Sequence, residues 1–170
     1  MRSCVCGRIV GALVVVLTLL GIAMVAPPRA QAADEGQVVF GVTADDVAGV
    51  IKKLDYDSKQ DIDKDGDPRF TITLAGFKVV LNFYDKQNDT NVYTTFVLYS
   101  CYTKDPKVSA DVINAWNRDK RFSRAYLNKD GDACVEADLD LRGGDTLGSM
   151  SQFIVRYRQT VNEFTKYIGF

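Results

Sequence analysis

The sequence predicts an α+β fold: a single domain with a five-stranded antiparallel sheet, helices on one face, and the order α-βββ-α-ββ-α. Two observations carry this. Short runs with apolar residues at every second position follow one another across turn residues, which reads as a meander and a hairpin. Three other segments repeat their apolar residues at helical spacing, so each has one stripe to bury against a sheet.

The elements follow in order. Thr43 opens the first helix as an N-cap, with Asp46 three residues on in place of the usual Glu of a capping box. Val42 before the cap and Val47 inside form a hydrophobic staple, and Val47, Val50, Ile51 and Leu54 share one face. Phe70, Ile72 and Leu74 alternate with Thr71 and Thr73 as the first strand. Ala75-Gly76 turns the chain into Phe77, Val79, Leu81 and Phe83, the second. After the polar loop Asp85 to Asn91, Val92 to Cys101 is rich in β-branched and aromatic residues and forms the third. The second helix starts at Ser109 and shows Val112, Ile113 and Trp116 to the core. Arg121–Leu127 and Cys134–Leu141 form a hairpin across Asn128 to Asp132. In its second strand Val135, Ala137, Leu139 and Leu141 face the core, and Cys134, Glu136, Asp138 and Asp140 face water. Gly143-Gly144 breaks that strand. The last helix begins near Asp145 or Thr146 and runs to about Ile168. Its stripe is Leu147, Met150, Phe153, Ile154, Tyr157, Val161, Phe164 and Ile168.

Ahead of this domain, Arg2 and Arg8 precede an apolar run from Ile9 to Ala26. Pro27-Pro28 stops it, and Ala30-Gln31-Ala32 supplies the small-x-small pattern read by signal peptidase. Residues 1–32 therefore read as a signal peptide cleaved after Ala32, 33–42 as a leader and 43–170 as the domain. An uncleaved anchor is the alternative, since the run is nearly long enough to span a bilayer. The expected location is periplasmic or secreted, with no stable membrane insertion after cleavage. Cys4 and Cys6 precede the apolar run, which argues against a lipoprotein.

Residues 33–170 carry 18 basic and 22 acidic side chains, and the basic ones are scattered among acids. A nucleic-acid ligand wants a concentrated basic face, so none is expected. The chain has no histidine. That removes Ser-His-Asp and Cys-His nucleophile systems and His-ligated metal sites.

Trp116-Asn117, Arg121-Phe122, Arg124-Ala125-Tyr126-Leu127, Asp130-Gly131-Asp132 and Leu139-Asp140-Leu141 form a series ending in Gly143-Gly144. This series resembles the signature of the YbjN-domain family of bacterial sensory transduction regulators. The resemblance extends from about Ala44 to Ile168, in pattern more than in residues over the N-terminal third. It implies a fold similar to type III secretion chaperones and a regulatory or chaperone-like role. It assigns no catalytic residue. Many members are cytoplasmic, and the leader of this chain departs from them.

Other motifs read as structure. Asp61-Ile62-Asp63-Lys64-Asp65-Gly66-Asp67 begins like a calcium loop, but its twelfth position is Ile72 and a strand follows. It reads as an acidic turn, with weak calcium binding by Asp61, Asp63 and Asp65 as the alternative. Asn128 to Asp132 is a hairpin turn, because Gly accepts positive φ. Arg142 to Thr146 precedes a helix N-terminus and would suit an anion, although Asp145 competes for the same amides.

The function expected is an exported, non-catalytic binding, adaptor or chaperone-like regulatory protein. It would use no catalytic residue, cofactor or metal and would recognise a protein or peptide through a surface including Tyr93, Tyr99, Arg124, Glu136, Asp138 and Asp140. A homodimer is a further reading. The alternative is a carboxylate-dependent hydrolase of cell-envelope polymers using two of Glu136, Asp138 and Asp140.

Cys101 and Cys134 are the cysteines left after cleavage. If a crossover through the second helix leaves a gap beside the third strand, the fifth strand fits there antiparallel to it. The end carrying Cys101 then lies beside the start carrying Cys134. The two residues form a disulfide or remain separate thiols, depending on whether both point to the same face.

Overall fold

A computed structural model describes residues 36–170. The apolar run and the Ala30-Gln31-Ala32 site lie outside the described residues. Six strands make the main sheet: β2 (Ser58–Ile62), β3 (Pro68–Leu74), β4 (Phe77–Lys86), β5 (Tyr93–Tyr102), β6 (Arg124–Leu127) and β7 (Ala133–Asp140). Their order is β2-β3-β4-β5-β7-β6, with every neighbouring pair antiparallel. β1 (Val38–Val39) pairs separately with β8 (Asp145–Thr146). Among the described residues the helices are α1 (Ala44–Lys53), α2 (Ala110–Asp119) and α3 (Leu147–Tyr167).

The α+β class and the three helices agree with the sequence expectation, but the sheet has six strands rather than five. The extra strand, β2, reads Ser-Lys-Gln-Asp-Ile and is exposed along its whole length. It buries nothing, so no alternation marks it. Pairing with β3 holds it in place, and Lys59 and Asp61 keep its free edge charged. The expected strand from Arg121 begins instead at Arg124, because Phe122 adopts a left-handed backbone, φ 64°.

Local sequence explains the ends of the elements. Thr43 caps α1 through the Asp46 amide, and the Asp46 carboxylate accepts from the Thr43 amide at 2.9 Å, closing the capping box. Ser109 and Thr146 cap α2 and α3. The two Lys-Asp-Gly-Asp turns fold identically. Asp63 Oδ1 accepts the amides of Asp65 and Asp67, and Asn128 Oδ1 accepts those of Asp130 and Asp132. Gly131 takes φ 77° in the second turn. Gly144 takes φ 87°, and a Cβ there would meet the Phe40 ring at 2.9 Å.

The core lies between the inward face of the sheet and α3. Leu81, Phe96, Leu98 and Val135 are fully buried beneath Met150, Ile154, Tyr157, Val161 and Phe164. Phe153, the remaining member of the stripe's centre, is only partly buried. One polar thread crosses this core. Tyr157 donates its hydroxyl to the Val135 carbonyl at 2.6 Å and lies 3.3 Å from Ser100 Oγ, which is 3.0 Å from the Tyr102 hydroxyl. The buried hydroxyls are thereby satisfied, and α3 is fixed in register over β5 and β7.

Candidate functional site

The candidate site is the other face of the sheet. Register places Thr71, Val80, Tyr99, Glu136 and Arg124 in one row across β3, β4, β5, β7 and β6. Arg69, Asn82, Val97 and Asp138 form the next row. These residues alternate with the buried ones, so each side chain points away from the helices. Val80, Val97 and Tyr99 are half-buried and make an apolar strip at the middle of this face.

Charge frames the strip. Arg124 pairs with Glu136 across β6 and β7, and its guanidinium lies 6.0 Å from the Tyr126 ring centre. Burial, followed by the Glu136 carboxylate, raises the Tyr126 hydroxyl above the ordinary tyrosine value. Arg142 Nη2 donates to Asp140 at 2.6 Å and holds that carboxyl below its usual range. Asp138 is exposed and has no ion pair among the described residues.

Five of the six partner-facing residues expected from the sequence, Tyr99, Arg124, Glu136, Asp138 and Asp140, thus come together on this face. Tyr93 does not. It is 3% exposed, packs edge-on against Phe83, and donates its hydroxyl to Asp67 at 2.9 Å. Burial and the Asp67 carboxylate push its pKa up to about 12. The folded state therefore retains a proton that the unfolded chain loses above about pH 10. Stability is fully present below pH 10 and falls as the pH rises from 10 to 12, by up to about 1.4 kcal/mol per pH unit. Chemical denaturation at pH 9, 10 and 11 checks this, and Tyr93→Phe should flatten the decline.

The structure adds Val80, Val97, Asn82 and Tyr126 to the face. Sequence missed Val97 because β5 is a central strand with apolar residues on both sides, so alternation fades there. Cys134 and Cys101 sit directly opposite each other in the β5–β7 register and are bonded. Cys134 is fully buried although its strand position is outward, because Cys101 and Tyr126 flank it. The acidic turn spends its carboxylates internally: Asp61 on Arg69, Asp63 on backbone amides and Asp67 on Tyr93. At the other candidate turn, Asp145 Oδ1 accepts from the Thr146 amide and the segment pairs with Val38 and Val39.

The Trp116-Asn117 pair secures the edge of this face. Trp116 is 1% exposed and donates its indole N–H to Ser123 at 3.2 Å. The Asn117 amide imitates a neighbouring strand. It donates to the Ala125 carbonyl at 2.9 Å and accepts from the Ala125 amide at 2.8 Å, closing the free edge of β6. Asn117→Asp keeps the acceptor and removes the donor, leaving the part-buried Ala125 carbonyl to water. A loss of about 0.5–1.5 kcal/mol is expected in equilibrium unfolding.

Among the described residues no helix is long and apolar enough to cross a membrane. No curated protein matches the chain. The edge-closing Trp116-Asn117 pair, the Asp130-Gly131 hairpin and the Gly144 turn all fall within residues 43–170, the segment that matches the YbjN family, described as "Putative bacterial sensory transduction regulator"; the protein belongs to that family.

Proposed function

We propose that the protein is an exported, non-catalytic adaptor with a chaperone-like role, which recognises a protein or peptide partner on the open face of its sheet. The observation that carries this reading is the half-buried strip of Val80, Val97 and Tyr99, framed by Arg124, Glu136, Asp138 and Asp140. An apolar centre with a charged rim is the anatomy of a protein interface. Membership of a regulator family supports the same reading. Hydrolysis by paired carboxylates fits less well. A general acid needs a raised pKa, whereas Arg142 lowers that of Asp140, and Glu136 is engaged by Arg124.

Export rests on the apolar run and Ala30-Gln31-Ala32, and the Cys101–Cys134 bond suits an oxidising compartment. The intact mass of protein recovered from that compartment should begin at Ala33. A chain retaining Arg2 and Arg8 in the membrane fraction would contradict export.

The binding face is tested by Tyr99→Arg combined with Val97→Asp. Both side chains point away from the core but are half-buried on a central strand, and Val97 lies opposite Asp138, so the variant should stay folded with a lowered melting temperature, measured before recovery is compared. The partner recovered with the parent protein should be lost. Recovery of the same partner by both proteins would exclude the face.

A further inference from the structure

A second site lies on the helix layer, away from the open sheet face. After α2 ends at Asp119, the segment Lys120-Arg121-Phe122 runs beside the outward side of α3 and leaves a cleft of about 220 Å³. Trp116 and Thr160, both buried, lie at its base. Phe122 and Arg156 form its rim, with the Arg156 guanidinium 4.4 Å from the centre of the Phe122 ring.

Three features of this cleft are not accounted for by ion pairing or by burial in the core. Lys120, Arg121 and Arg156 bring three positive charges, but Glu163 is the one acid in the lining and Lys120 takes it at 2.8 Å. Arg121 and Arg156 have no ion pair among the described residues, in a chain whose net charge is −1. Phe122 is 65% exposed, and its ring meets the Arg156 guanidinium instead of the core. Its backbone also sits at φ 64°, a conformation that costs a non-glycine residue roughly 1–3 kcal/mol and persists only where the surroundings impose it. The surroundings do so: Trp116 holds Ser123, and Asn117 holds Ala125 immediately afterwards. The chain is thus pinned so that Phe122 stands out under a guanidinium with no carboxylate partner.

We infer that this cleft is a docking site for an acidic peptide segment that carries one apolar anchor residue beside its carboxylates. The anchor enters between Phe122 and the Trp116 base, and Arg121 and Arg156 take the carboxylates through paired N–H donors. Size supports a single anchor, since small-molecule pockets usually hold about 300–1,000 Å³. The aromatic wall argues against a bare phosphate ion, and three cations on a net-negative chain are too few for nucleic acid.

The test is an NMR titration of the protein with the acetylated, amidated peptide Glu-Glu-Phe-Glu-Glu at physiological salt. Saturable shifts should be confined to the Trp116 indole, residues 120–123 and residues 156–163. Glu-Glu-Gly-Glu-Glu should bind at least tenfold more weakly, and inorganic phosphate should leave these resonances unmoved. Arg156→Gln, an exposed change, should weaken the Phe peptide about tenfold. Phe122→Gly relieves the left-handed backbone, so that protein should melt no lower than the parent and yet lose the peptide. No shifts at millimolar peptide, equal affinity for the Gly peptide, phosphate shifting the same resonances, or unimpaired binding by the Arg156 and Phe122 variants would each overturn the inference. The Tyr99 and Val97 variant should bind this peptide normally, so the two sites fail or hold separately.

Discussion

Phe164→Ala should cost the domain about 3–5 kcal/mol, a large share of the roughly 5–15 kcal/mol that holds a typical domain together. Phe164 is fully buried at the junction of three elements. Its ring centre lies 4.9 Å from Trp116 of α2 and 5.9 Å from Tyr102 of β5. Truncation would open a cavity walled by large rings whose positions are already fixed. Trp116 is held by Ser123, and Tyr102 by Ser100. Neither can collapse inward without breaking a hydrogen bond, which places the cost towards the upper part of the range. Phe153→Ala makes the contrast. Phe153 lies on the same helical stripe but is only partly buried, so it should cost clearly less. Urea unfolding of the three proteins side by side reads the difference. Equal midpoints for Phe164→Ala and the parent would contradict the packing described.

Replacing both Cys101 and Cys134 by Ala should cost a further large amount, about 3–4 kcal/mol from loop entropy alone. The bond spans a sequence separation of 33, across all of α2, β6 and the hairpin turn. The ladder between β5 and β7 remains without it, so the folded state should keep its shape. The effect falls on the unfolded chain, which gains the freedom of an open loop. The same bond predicts that protein from an oxidising compartment takes up no alkyl group without reductant. Uptake of two alkyl groups, or a double variant as stable as the parent, would contradict it.

Most of the architecture was legible because burial writes it into the sequence. Helix caps at Thr43, Ser109 and Thr146 and the stripe from Leu147 to Ile168 mark the helices. The alternation from Cys134 to Leu141 separates the two faces of β7, which is how the sequence alone places Glu136, Asp138 and Asp140 on the open face. What burial does not mark, the sequence hides. β2 exists through backbone pairing alone, and its polar side chains carry no period. Tyr93 looks like an exposed member of an aromatic strand, but its partner, Asp67, lies 26 residues away in a turn that reads as independent. The cleft beside Phe122 depends on a left-handed aromatic residue and on Arg156 from a helix far along the chain. No short motif announces that meeting.

The open sheet face is the central claim, and site-specific photo-crosslinking tests it most directly. A photoreactive phenylalanine analogue replaces Tyr99 in one version of the protein and the exposed Lys52 of α1 in another. Irradiation of intact cells should give a discrete protein adduct from position 99 and none from position 52. Adducts from neither position, or only from position 52, would contradict a partner seated on the face formed by Val80, Val97 and Tyr99.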